Sequence, residues 1–190
     1  MIPGTYPVGL FDRWRKDKDS EDSTDPLHDL TLSKLTVGYL VDFDLKTWEV
    51  KSYSTYDFDG DRAEEWELDC GDDQCFLERV EDDEVEWAIT RKIALSDITE
   101  GVRKHIREHD DPPQELTLSG QCFSAEGGGA GYYYKDGKGS GDQMIYWDYV
   151  DSSGEQMLTI EQWGEDEFEA STGKYVQEYE FTNILPRLMN

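Results

Sequence analysis

The sequence predicts a mainly β protein: two similar antiparallel β-meander units, each a small barrel or sandwich half, with one short connecting helix. Three observations carry this. Short apolar runs alternate with period two and are bounded by turn residues such as Asp59-Gly60. Aromatic residues make up 13% of the chain, enough large side chains to build a core although hydrophobic residues reach only 36%. The chain also echoes itself. Leu35 to Ile89, laid without a gap on Leu116 to Ala170 at a shift of 81 residues, gives nine identities, among them Gly60/Gly141, Asp61/Asp142, Trp66/Trp147 and Leu77/Leu158. A period that long does not make a solenoid; it reads as an internal duplication into two domains or two halves of one.

The expected organisation follows. Residues 1–29 form a leader and linker, partly disordered. Phe11 and Trp14 lie one turn apart there among Arg13, Arg15, Lys16 and Lys18, an amphipathic turn that docks on its own domain, a partner or a membrane. Residues 30–95 form the first β unit. Val37, Tyr39, Val41 and Phe43 alternate, and Trp48 and Val50 continue the alternation into a second strand. An Asp-Gly hairpin turn follows; then Trp66, Leu68 and Cys70, then Phe76 to Val80, then Val85, Trp87 and Ile89 supply three more strands. Residues 96–115 form a connector with a short helix: Asp97-Ile98-Thr99-Glu100 resembles a helix start, Val102 and Ile106 share a face, and Pro112-Pro113 stops it. Residues 116–190 form the second unit, with Ile145, Trp147 and Tyr149 as its clearest strand. Gly127 to Gly141 holds seven glycines and reads as a mobile hairpin loop, interrupted by a strand at Tyr132-Tyr133-Tyr134. Trp66 and Trp147 are expected at equivalent buried positions.

Charge narrows the function classes. The chain carries 44 acidic and 18 basic residues, a net charge of −26. Such a surface repels nucleic-acid phosphate and anionic lipid, which speaks against direct nucleic-acid binding. It suits a basic or membrane-associated protein partner, or is simply a solvated surface. No apolar run is long enough to span a bilayer. The three cysteines, Cys70, Cys75 and Cys122, follow no secretory signal, so reduced thiols and a cytoplasmic location are expected.

The chemical motifs are incomplete. His105, Glu108 and His109 match H-x-x-E-H, which puts two imidazoles on one helical face for zinc with the glutamate as base. The segment abuts Asp110-Asp111-Pro112-Pro113, however, so His109 falls at a fraying end. Asp57, Asp59 and Asp61 resemble the opening of a calcium loop, but Arg62 stands where glycine is needed and Leu68 where glutamate is needed. Both sets rank behind the reading that no metal or other cofactor is bound. Paired carboxylates are so abundant that spacing selects none of them. Tyr132, Tyr133 and Tyr134, beside the glycine-rich run, are the candidate partner-binding patch.

The succession L-T-V-G-Y-L-V-D-F from Leu35, T-W-E-V at Thr47, E-E-W-E-L at Glu64 and F-L-E-R-V-E at Phe76 resembles a bacterial domain-of-unknown-function family, numbered 4178, here doubled in tandem. W-D-Y at Trp147, I-E-Q-W at Ile160 and N-I-L-P at Asn183 resemble its longer members. The resemblance implies a non-catalytic protein associated with membrane-stress systems of the phage-shock type, and it supplies no catalytic residues. The expectation is therefore an acidic, non-catalytic binding or adaptor protein tied to a bacterial membrane-stress system. Two alternatives stay open: a polyanion mimic that occupies a nucleic-acid-binding protein, and a metal-dependent hydrolase built on His105, Glu108 and His109.

Overall fold

Alternating apolar and polar residues need a sheet with two different faces, and the chain makes one. The computed structural model describes residues 30–81 and 84–186. The amphipathic leader lies outside the described residues, as does the centre of the acidic turn after Glu81. The strands are β1 (Leu40–Phe43), β2 (Lys46–Phe58), β3 (Asp61–Asp69), β4 (Gln74–Glu81), β5 (Val85–Ile93), β6 (Glu115–Leu118), β7 (Gln121–Lys135), β8 (Asp142–Asp151), β9 (Gln156–Gln162), β10 (Phe168–Val176) and β11 (Thr182–Leu185). A single α-helix among the described residues, α1 (Val102–His109), joins β5 to β6. The fold is thus mainly β, with every strand pairing antiparallel.

All eleven strands belong to one sheet, in the order β11-β1-β2-β3-β4-β5-β10-β9-β8-β7-β6. A further pairing, β2 with β7, closes β2-β3-β4-β5-β10-β9-β8-β7 into a ring of eight strands. The eight ring strands thus have a partner on both sides, and among the described residues only the short strands β11 and β6 remain as edges outside the ring. The two junctions share one register offset. β5 meets β10 with Arg91 opposite Thr172, and β2 meets β7 with Ser54 opposite Lys135; each of these pairs is 81 residues apart. Each antiparallel ladder thus contains one pair at the 81-residue offset of the sequence echo; the other pairs run from 75 to 79 residues apart at β2–β7 and from 77 to 89 at β5–β10. The chain end returns to the first half, where β11 pairs with β1 and Phe181 stacks on Phe43 at 4.5 Å.

The outer face of the ring carries two apolar cores. Trp48, Val50, Trp66, Leu68, Leu77, Trp87 and Ile89 pack beneath Leu32, Leu35 and Phe181. Buried indole N–H groups there find carbonyl acceptors: Trp66 Nε1 donates to Leu35 O at 2.9 Å and Trp48 Nε1 to Phe43 O at 3.0 Å. On the other half, Tyr149, Leu158, Ile160 and Ala170 pack against Val102 and Ile106 of α1 and against Leu116 and Phe123. The helix thus serves as a lid on the second core, and its Val102/Ile106 face is the one expected.

Two sequence expectations need correction. Trp147 occupies the strand position equivalent to Trp66 but is only half-buried. The reason lies across the strand: Trp66 is flanked by Tyr53, whereas Trp147 is flanked by Gly128, which shields nothing. The glycine-rich run is the second. Only its end, Asp136 to Gly141, turns the chain; Gly127 to Gly131 lies inside the long strand β7. The glycines there permit close approach. A Cβ on Gly131 would sit 2.5 Å from Phe58 Cδ1, and on Gly173 of β10 it would sit 2.3 Å from Ile89 O. What reads as a mobile loop is a strand that must pass close to its neighbours.

Candidate functional site

Because the apolar residues of β2–β5 and β7–β10 face outward, the alternate residues face into the ring, and these are largely polar. One end of the interior is an aromatic plug: Tyr56, Ala63 and Met144, with Phe58, Tyr133, Tyr146 and Trp163 packed against them. Phe58 lies 4.7 Å from Tyr146, and Tyr133 meets Trp163 edge-on at 5.5 Å. Beyond the plug is a cavity of about 360 Å³, walled by residues of β2, β3, β4, β5, β8, β9 and β10.

Six carboxylates from both halves line that cavity: Asp61, Glu64 and Glu65 on β3, Glu78 on β4, Asp148 on β8 and Glu161 on β9. Among the described residues the sole cation on its wall is Lys92 of β5. Lys92 Nζ is 3.1 Å from Glu161 and 2.7 Å from Glu169, so its charge is already engaged. Glu65 and Glu78 are directly opposed in the β3–β4 register, a like-charge cross-strand pair. Tyr56 donates to Glu65 Oε2 at 3.2 Å and Thr90 to Glu78 Oε1 at 2.5 Å. The second oxygen of each carboxylate accepts no hydrogen bond among the described residues. Thr159 donates to Asp148 at 2.8 Å.

The electrostatics follow from that deficit of positive charge. Burial, and then the facing charge of Glu78, push the Glu65 carboxyl up to about 8. Burial likewise pushes Glu78 up to about 7, the hydrogen bond from Thr90 opposing it. Burial also raises Asp148 and Glu161, the latter despite Lys92 beside it. For Lys92, burial works against the charged form, but Glu161 and Glu169 outweigh it and hold the ammonium above its ordinary range. At neutral pH the Glu65–Glu78 pair therefore retains at least one proton between its two carboxyls. Such a pair can share that proton, donate it, or exchange it for a cation.

The residues singled out from sequence fall elsewhere. His105 and His109 do share a face of α1, with ring centroids 4.4 Å apart. His105 Nδ1 is bonded at 2.7 Å to Asp111 O, and Glu108 lies 3.8 Å from Lys104. The motif thus sits on an eight-residue surface helix, away from the ring interior. Among the described residues no group of three His, Cys, Asp or Glu side chains is placed to hold a metal ion. Asp57 accepts from Gly60 N at 2.9 Å, Asp59 takes a left-handed φ of 63°, and Asp61 begins β3 at the cavity wall. The tyrosine run alternates across the sheet: Tyr133 enters the plug and bonds Ser54 at 2.8 Å, whereas Tyr132 is 46% exposed on the other face. The three tyrosines do not form one patch.

Glu65, Glu78, Lys92, Asp148 and Glu161 escaped the sequence reading because carboxylates are everywhere in this chain. A signal existed. These residues alternate with the apolar residues of their own strands, and Thr90, Thr159 and Ser171, small hydroxyls that suit a polar interior, sit at matching positions.

No helix of the described residues is long and apolar enough to cross a membrane. No solved structure matches the chain. An uncharacterised protein of Aquifex aeolicus (strain VF5) is 27% identical over 182 residues, covering 95% of this chain and 100% of that one. The family described as Domain of unknown function (DUF4178) matches over residues 36–178, one match that runs through both meanders and takes in every strand of the ring. The chain belongs to that family, and the ring with its acidic interior lies within the matched region.

Proposed function

We propose that this is a non-catalytic binding protein whose binding element is the interior of the eight-stranded ring. The observation that carries the reading is the partly open cavity of about 360 Å³, whose wall holds six carboxylates against one already engaged lysine. Folding leaves charges in such a place at a cost, and a complementary ligand offsets it. The pair at the 81-residue offset in each seam supports an origin by internal duplication, in which two copies of one meander joined and their inward residues then diverged. The acidic exterior supports the adaptor side of the reading: with a net charge of −26, a basic or membrane-associated partner protein would be steered to it quickly and lose affinity as salt rises. The free thiols Cys70, Cys75 and Cys122 are in keeping with a cytoplasmic setting, where a membrane-stress role would place it.

A thermal-shift screen of small molecules tests this, run on the full chain after unfolding and refolding to strip any co-purified ligand. Compounds are expected to raise the midpoint of the wild type and to have no effect on an Ala63→Leu variant, which fills the cavity wall but retains its circular dichroism. Turnover of a bound compound would overturn the non-catalytic part. Shifts that survive in Ala63→Leu, or a screen without any shift, would overturn the cavity as the binding element.

A further inference from the structure

We propose that the cavity takes a small organic ammonium ion, its nitrogen seated between Glu65 and Glu78 and its apolar body against Tyr56, Phe58, Met144 and Tyr146. The proposal rests on the reading of the ring interior as the binding element and adds the chemical class of the ligand.

The polar end argues for a cation. Glu65 and Glu78 oppose each other across β3 and β4, and each presents one oxygen to which no described residue donates. An ammonium has three N–H donors and one positive charge, which suits two such oxygens at once. Lys92 cannot serve in its place, since Glu161 and Glu169 hold it. A bare metal ion is a poor fit: among the described residues no three ligating side chains converge. An anion would meet carboxylates from four strands.

The other end argues for an apolar, preferably aromatic, body. Tyr56, Phe58, Met144 and Tyr146 line the same cavity, Tyr56 stacked on Phe58 at 5.7 Å and Phe58 4.7 Å from Tyr146. Aromatic walls beside a desolvated cation add cation–π attraction. The volume of about 360 Å³ is at the small end of ligand sites, so the guest is a small molecule rather than a peptide.

Proton linkage supplies a signature. The other ionisable groups on the cavity wall are Tyr56 from β2, Asp61 and Glu64 from β3, Lys92 from β5, Tyr146 and Asp148 from β8 and Glu161 from β9; β10 contributes only the hydroxyl of Ser171 to the wall. Lys92 remains charged throughout, so the proton shared within the pair is the one an incoming ammonium displaces. Binding should therefore release a proton near neutral pH and tighten as pH rises towards 8, the value to which Glu65 is pushed.

Isothermal titration of the full chain tests the class, with phenethylammonium as probe, 2-phenylethanol and 3-phenylpropionate as neutral and anionic counterparts, and Mg²⁺ and Zn²⁺ alone. Phenethylammonium is expected to bind at least about tenfold more tightly than either organic counterpart. The observed enthalpy should differ between phosphate and Tris at pH 7, reporting proton release. Glu78→Gln should weaken phenethylammonium by about tenfold while leaving 2-phenylethanol unchanged. If 2-phenylethanol or 3-phenylpropionate binds as well as or better than phenethylammonium, and Ala63→Leu abolishes that binding, the ammonium class is wrong while the cavity reading stands. If phenethylammonium binds equally to wild type, Glu78→Gln and Ala63→Leu, it is held by the acidic exterior, and the proposal fails. A metal ion that binds more tightly than phenethylammonium and loses affinity in Glu78→Gln would overturn it too.

Discussion

Trp66→Ala is expected to destabilise the protein by about 3–5 kcal/mol. Trp66 is fully buried, packs 5.8 Å from Trp87 and 5.4 Å from Tyr53, and donates its indole N–H to Leu35 O. Truncation opens a cavity in the first core and strands the Leu35 carbonyl, so transfer, packing and hydrogen-bond losses act together. Trp147→Ala should cost only about 1–2 kcal/mol, because its ring is half-buried and its N–H reaches Asp111 at the surface. Urea unfolding with unchanged slope measures both. Equal losses at the two positions would contradict the asymmetry assigned to Tyr53 on one side and Gly128 on the other.

Glu78→Gln is expected to act in the opposite direction and to do so only at higher pH. The sign follows from linkage. Glu65 and Glu78 in the folded ring hold protons up to about 8 and about 7, above the ordinary carboxyl value of 4.5. The folded state therefore keeps protons that the unfolded chain has shed, and the pair's contribution to stability is full below about pH 4.5 and is lost as pH rises through 7 to 8. A glutamine keeps an acceptor for Thr90 and removes one of the facing charges. The variant should match the wild type near pH 4.5 and exceed it by about 2–3 kcal/mol at pH 9, roughly 5–10 °C in midpoint for a chain of this size. Thermal unfolding of both proteins from pH 4.5 to 9 checks this; parallel profiles would show that the pair carries no excess charge cost.

The class of fold was legible because the local signals agree. Val41, Phe43, Trp48, Val50, Trp66 and Leu68 alternate cleanly, and Asp59-Gly60 turns the chain with φ of 63° and 111° as a two-residue hairpin requires. Ring closure was not legible. It depends on β2 pairing with β7, a contact between residues about 80 apart in sequence, and half of that seam is a glycine-rich strand whose composition imitates a loop. Nor was the site. A strand face bearing Glu65 and Glu67 looks like an ordinary solvated face until closure turns it inward, so the identity of the inward, mostly half-buried carboxylates follows from topology, not from local pattern. Tyr133 and Tyr132 show the same limit: adjacent residues, one in the plug and one on the surface, separated only by the pleat of β7.

The central claim is that the ring holds a facing carboxylate pair while the cation of the cavity wall, Lys92, is engaged by Glu161 and Glu169. Carboxyl-carbon NMR of glutamate-labelled protein, assigned with Glu65→Gln and Glu78→Gln, tests it most directly. Two coupled carboxyls should titrate with midpoints near the values of about 8 and about 7, well apart from the many surface glutamates. Midpoints for both residues at the ordinary value of 4.5 would mean that the pair is solvated or already paired, and would contradict the account.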